Sequence, residues 1–303
     1  MAQTKIERAE ETLEGLTTGD AFGDMLSPNQ DKAAKILAER SLPSRPAPWR
    51  WTDDSNMAFS IVAVLRKYGE INQDALAQSF ATRYDVTRGY GPSVHRRLRA
   101  IREDGQTWQI ATHAEYPSYG NGGAMRVAPL GAYFADDIKK VIEQATLSCE
   151  VTHAHPEGIA GGIAVAVATA YAYQLRGQNV PDRRTFLDMI LPHVPDGEVS
   201  EKIRHARNLA PGASIQLAAS ALGDGRFITA QDTVPFVLWC AGEMLSESYE
   251  EAIWFTLSKS RDRDTNCAMV GGIVTAYAGL DAIPVMWREK REAYPQWFLD
   301  GEL

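Results

Sequence analysis

Apolar residues recur at intervals of three and four along almost the whole chain, while strict alternation bounded by turn residues is nearly absent. This spacing predicts helices over residues 6–26, 31–42, 56–67, 73–84, 92–103, 124–134, 138–149 and 157–175. It predicts further helices over 182–191, 200–209, 214–222, 234–245, 249–258, 265–278 and 284–293. Pro and Gly fall between these segments, as in "SLPSRPAPW", "RGYGP" and "LAPGAS", and none of the breaks is long enough for an interdomain linker. The expected architecture is a single compact all-α domain spanning residues 1–303. The run "GIAGGIAVAVATAYAYQL", residues 158–175, is apolar enough to raise the question of a membrane span. Its bulk is Gly and Ala, and "THAHPE" lies immediately before it, so it is expected to be a core helix packed closely on its neighbours, with no membrane association.

Composition narrows the partners. With 303 residues, 45% of them hydrophobic and 23% charged, the chain has the material for a large core. A net charge of -8 argues against non-specific nucleic-acid binding, which needs a basic face. Cys149, Cys240 and Cys267 are odd in number and lack paired metal spacing, so they read as reduced, buried thiols of a cytoplasmic protein. The charged, amphipathic opening "MAQTKIERAEETLEGL" has no apolar signal-peptide core.

Three stretches are rich in Gly, Asp, Asn and Thr where the rest of the chain builds helices: "GLTTGDAFGD" (15–24), "YGNGGAMR" (119–126) and "RDRDTNCAMVGG" (261–272). A fourth, "WTDDS" (51–55), sets Thr52, Asp53 and Asp54 directly before an apolar run. Ser, Thr and Asp at such a point are ordinary helix caps. Capping needs one side chain, however, and "RDRDT" crowds Asp262, Asp264 and Thr265 at another helix start. If the two starts meet, four carboxylates and two hydroxyls form a hard oxygen shell suited to Mg²⁺, Mn²⁺ or Ca²⁺ and large enough for two ions. The glycines of "YGNGG" permit close backbone approach and free N–H groups suited to a phosphate, or they form a plain turn. His153 and His155 precede a helix, where histidine serves as a cap, a packing residue or a ligand to a ribose hydroxyl.

"GLTTGDAFG", "TDDS", "GNGGAMRVAPLG", "THAHP" and "DRDTNCAMVGGIVTAYAG", in this order, resemble the ADP-ribosylglycohydrolase family over nearly the whole chain. The resemblance implies an orthogonal all-α bundle, two Mg²⁺ or Mn²⁺ ions, and cleavage of the bond between ADP-ribose and an acceptor side chain, arginine first. By position, the family's metal ligands fall on Thr52, Asp53, Asp54, Asp262, Asp264 and Thr265. Among them Asp53, Asp54 and Asp264 are the candidate catalytic groups. The diphosphate loop falls on Ser118, Tyr119, Gly120, Asn121 and Gly122, followed by Met125, and the ribose-contacting histidine on His153. Ser27 stands where many members carry a glutamate, which leaves the acid or base group open. The implied partners are ADP-ribosylated protein and free ADP-ribose. The alternatives are hydrolysis of a serine, nucleic-acid or metabolite conjugate, and a non-catalytic protein that binds ADP-ribose or blocks a toxin.

Overall fold

The computed structural model describes residues 3–26, 30–42, 46–113 and 116–303. Ser27 lies outside them. Among the described residues seventeen α-helices follow one another and no strand forms; two isolated bridges join Trp49 to Arg291 and Gly120 to Thr229. The all-α expectation holds.

In chain order they are α1 (Lys5–Asp24), α2 (Gln30–Glu39), α3 (Asp53–Tyr68), α4 (Gln73–Arg83), α5 (Pro92–Glu103) and α6 (Trp108–His113). The middle of the chain supplies α7 (Ala128–Tyr133), α8 (Ile138–Glu150), α9 (Pro156–Gln174), α10 (Arg183–Ile190), α11 (Glu198–Asn208) and α12 (Ile215–Leu222). The last third supplies α13 (Ala230–Met244), α14 (Tyr249–Leu257), α15 (Arg263–Ala278), α16 (Val285–Lys290) and α17 (Gln296–Leu299). The segment expected to be one helix over 124–134 is shortened: α7 starts only at Ala128, and a 3₁₀ turn over Asn121–Gly123 precedes the expected start. Two short helices, α6 and α17, were too brief to show a period.

The helices start where the sequence gives their first N–H groups a partner. Thr4 and Glu7 form a reciprocal capping box at α1, with Thr4 Oγ1 accepting from the Glu7 amide at 3.3 Å and Glu7 Oε2 accepting from the Thr4 amide at 2.7 Å. His155 caps α9, its Nδ1 accepting from the Glu157 amide at 3.1 Å, with Pro156 as the first helical residue. Helix α9 is buried along nearly its whole length, as its small residues led us to expect. No helix among the described residues is long and apolar enough to cross a membrane.

Helices α1 and α15 form the central pair. Their backbones touch along a stripe of glycines spaced four apart in α1. A Cβ on Gly19 would lie 2.2 Å from the Cys267 carbonyl oxygen, and one on Gly23 would lie 2.4 Å from that of Arg263. Only a residue without a side chain fits there. Just beyond, the Phe22 ring stacks on Trp287 at 3.9 Å and meets Trp254 edge-on at 5.1 Å, while Trp49 packs beside it at 5.5 Å. The Trp49 amide donates to the Lys290 carbonyl at 2.7 Å, and Arg88 stacks on Trp51 at 3.4 Å. The chain is thus held on both sides as it enters α3.

The crossing yields a stability test. Gly19→Ala should destabilise the protein by about 2 kcal/mol or more, because a methyl group driven into a backbone carbonyl forces the two helices apart. Gly91→Ala, whose new methyl would meet nothing within 4 Å, should leave the melting temperature nearly unchanged. Equal losses in thermal denaturation would show that the close approach does not matter.

Candidate functional site

The start of α3 does not cap itself. Thr52 holds the N-cap position but makes no side-chain cap bond. The partner comes from α1: Asp20 accepts from the Thr52 amide at 2.9 Å, from the Ser55 amide at 3.1 Å and from the Ser55 hydroxyl. The capping half of the expectation for "TDDS" is therefore corrected, since a carboxylate 32 residues upstream does that work. The second motif behaves alike. Asp262 holds the N-cap position of α15 without capping it, and accepts instead from Asn121 Nδ2 at 2.7 Å. Asp264 Oδ1 accepts from the Thr265 amide at 2.9 Å.

With their side chains released from capping, the two motifs meet. Thr265 Oγ1 lies 3.5 Å from Asp54 Oδ2, and Asn121 ties the glycine loop to Asp262 on the same side. Asp53, Ser118, Tyr119, Gly120, Asn121, Gly122, Met125, His153, Asp262, Asp264 and Thr265 line one cavity of ≈ 550 Å³. Thr52 and Asp54 do not reach its wall; they sit directly behind it, 7% and 1% exposed. A larger cavity of ≈ 760 Å³ beside α1 holds none of these residues. Its carboxylates are already paired, Glu10 with Arg66 and Glu14 with Arg291, so we place the chemistry in the smaller one.

The carboxylates are crowded and dry. Burial lifts Asp53, Asp54 and Asp262 well above the ordinary range, and their neighbours' charges, Asp264 and Asp20 among them, raise them further. Burial likewise brings Asp20 up to about 7, against the hydrogen bonds from Ser55 and Thr52. The geometry gives the same message. Thr52 Oγ1 lies 2.8 Å from both Asp20 Oδ1 and Asp54 Oδ2, yet it has one proton to give, so one contact requires a protonated carboxyl or a cation. Asp54 Oδ1 is buried and has no hydrogen-bond partner among the described residues. The opposing charge is Arg126, entirely enclosed, whose guanidinium draws Asp53 down and which burial itself brings to about 10.

The loop over Ser118–Gly122 is pinned from both sides. The Asn121 amide donates to the Ile228 carbonyl at 3.1 Å, the Ala230 amide to the Tyr119 carbonyl at 2.9 Å, and the Gly120 amide to Ser118 Oγ at 3.2 Å. The N–H groups of Gly120 and Asn121 are thus already engaged, that of Gly123 closes the 3₁₀ turn onto the Gly120 carbonyl, and that of Gly122 is the one left for a ligand among the described residues of the loop. A Cβ on Gly122 would lie 2.6 Å from His153 Cε1, so the neighbouring imidazole alone demands glycine. Of the two histidines, His155 is the cap and His153 faces the cavity. The sequence did not single out Asp20 or Arg126. Both lie inside stretches flagged for their Gly and Asp content, but nothing local marks a carboxylate that caps another helix.

The family model described as ADP-ribosylglycohydrolase matches residues 1–300. "ADP-ribosylhydrolase ARH3" of Xenopus tropicalis is 30% identical, with 97% of this chain and 93% of that protein covered. "ADP-ribosylhydrolase ARH3" of Homo sapiens is 27% identical, covering 97% and 92%. A solved structure described as "ADP-ribosylglycohydrolase-related protein complex" superposes with a TM-score of 0.66 at 19% identity, over 99% of this chain and 96% of that one, a likeness of fold.

The crowding predicts a sign. A carboxyl whose folded pKa is raised stabilises the protein at low pH, and that stability is lost as pH climbs through the folded value. In a chelator, Asp54→Asn should therefore raise the melting temperature, with a larger gain at alkaline than at acid pH. A variant that melts lower at both pH values would contradict the assigned electrostatics.

Proposed function

The chain belongs to the ADP-ribosylglycohydrolase family, and from that premise we propose that its cavity removes ADP-ribose from modified protein side chains with the help of two divalent cations. The observation that carries the reading is the convergence of "TDDS" and "RDRDT" on the wall that also holds the glycine loop, because cleavage at a ribosyl carbon needs an anion-binding loop and a charged oxygen cluster side by side.

Thr52, Asp53, Asp54, Asp262, Asp264 and Thr265 would hold the ions, a hard oxygen set that suits Mg²⁺ or Mn²⁺ better than zinc. The fit rests on the unpartnered Asp54 Oδ1 and on the Thr52 contacts that demand a proton or a cation. Among the described residues no group of three or more His, Cys, Asp or Glu side chains is placed to hold a metal ion by itself, and the proposed ions would have to draw on the threonine hydroxyls and water as well. When bound, such ions supply the charge that aligns ribose hydroxyls and acidifies a water.

The protein's own groups do the rest. Gly122 offers its amide to the diphosphate. His153 lines the cavity near the loop and serves the ribose or the phosphate. Asp53 faces the cavity, unlike Asp54, which makes it the carboxylate placed to orient or deprotonate the attacking water. The acidic wall as a whole favours the positive charge that grows on the sugar as the glycosidic bond breaks.

The relatives' names specify ADP-ribose and no acceptor. We take arginine as the acceptor to be tested first and a serine ether as its competitor. The three buried free thiols agree with a reducing compartment, and the cytoplasm is the location we propose.

The deciding experiment is release of ADP-ribose from defined arginine-, serine- and nucleic-acid-linked conjugates, with Mg²⁺, with Mn²⁺ and in chelator. Release from at least one conjugate, dependent on a divalent ion, is expected. Tight binding of ADP-ribose without turnover of any would replace the hydrolase with a binding protein. On a cleaved substrate Asp53→Asn should lower kcat by about 10²-fold or more, the weight of a positioned proton acceptor. Affinity for ADP-ribose should fall much less, since the loop amide remains. Losses of equal size would place Asp53 in binding alone.

A further inference from the structure

His153 is reached from behind by a relay that the proposed reaction does not use. Arg126 lies with its guanidinium over the Phe80 ring at 4.6 Å and donates from Nη2 to the Ser148 carbonyl at 2.8 Å and to Thr152 Oγ1 at 2.9 Å. Thr152 Oγ1 in turn lies 2.8 Å from His153 Nδ1. All three residues are buried.

Directions follow from the chemistry of the three groups. A guanidinium has no acceptor, so Thr152 Oγ1 must accept from Arg126. The hydroxyl then has one proton to give, and Nδ1 is its other polar contact among the described residues. Were Nδ1 protonated, Thr152 would accept twice and its own proton would be left without a partner in a closed space. The favourable pattern runs one way, from Arg126 through Thr152 to Nδ1, which leaves the ring proton on Nε2. That edge faces the loop and the cavity: a Cβ on Gly120 would lie 3.4 Å from Nε2, and one on Gly122 would lie 2.7 Å away. Burial first, and the Arg126 and Arg97 charges after it, hold the imidazole well below its ordinary pKa, so the ring stays neutral.

We propose that Arg126 and Thr152 are positioning residues that lock His153 into the Nε2–H tautomer, so that it presents a donor to an oxygen of the bound ADP-ribosyl group. The identity of the ligand rests on the function proposed above; the tautomer does not. A histidine so locked donates to a phosphate or hydroxyl oxygen at that point and repels a second donor.

The test reads the tautomer directly. In full-length, ligand-free protein carrying ¹⁵N-histidine, the two-bond ¹H–¹⁵N pattern of His153, assigned by its loss in His153→Gln, should show Nε2–H alone from pH 6 to 8. Thr152→Val preserves the shape and removes both halves of the relay. It should introduce the Nδ1–H form and weaken ADP-ribose binding in calorimetry roughly tenfold, the weight of one hydrogen bond. Thr152→Ser should restore both. An Nδ1–H tautomer in the wild type overturns the proposal, and so does a Thr152→Val protein whose pattern and affinity match the wild type. If Thr152→Val does not fold, the wild-type and Thr152→Ser spectra still decide. A wild type that shows the expected tautomer yet does not bind ADP-ribose would remove the ligand and leave the lock standing.

Discussion

The backbone contact between α1 and α15 is the constraint on which the site depends. Three glycines in α1 let the two helices approach until carbonyl oxygens of α15 occupy the space where side chains would be. Because Gly23 lies against Arg263 and Asp264, the register of that contact fixes the start of α15 relative to the end of α1. Asp20 is carried on the same stretch, and through its bonds to Thr52 and Ser55 it fixes the start of α3 as well. One crossing therefore sets the relative position of both acidic motifs.

What that crossing assembles is unfavourable in isolation. Carboxylates from three parts of the chain are enclosed with one fully buried guanidinium, Arg126, near Asp53. The surrounding contacts keep them from relaxing apart. Arg261 is drawn outward to Asp224 at 3.2 Å and Arg263 to the Leu26 carbonyl at 2.7 Å, so the two arginines of "RDRD" anchor the loop while its two aspartates face the cavity. Folding thus holds like charges together, and it is on this arrangement that the proposed cation site rests.

Helix content was legible because each long helix buries one stripe, and that stripe is written at intervals of three and four. Where a helix buries all its faces, as α9 does, the small residues carried the reading instead. The boundaries that shifted have local causes. The segment over 124–134 is preceded by a glycine turn that a bond from the Asn121 amide to the Ile228 carbonyl holds in place, which no local pattern could reveal. Helix α13 starts at Ala230 and runs through Pro235, although proline ordinarily marks a boundary. The meeting of the two acidic helix starts was legible because hard oxygen donors crowded at both exceed what capping needs. Asp20 was not, since its role is to cap a helix it does not belong to, and Arg126 was not, since a buried arginine looks in sequence like any other.

The site closes over contacts that are far apart along the chain: 32 residues between Asp20 and Thr52, 141 between Asn121 and Asp262, and 211 between Asp54 and Thr265. Contacts of such separation form late, after the entropy of closing long loops has been overcome. On the ribosome the first acidic motif and the glycine loop emerge long before α15, and the crowded cluster cannot exist until it does. A nascent or truncated chain that stops short of Asp262 holds every residue of the glycine loop and the whole first acidic motif, but none of the second, and has no site.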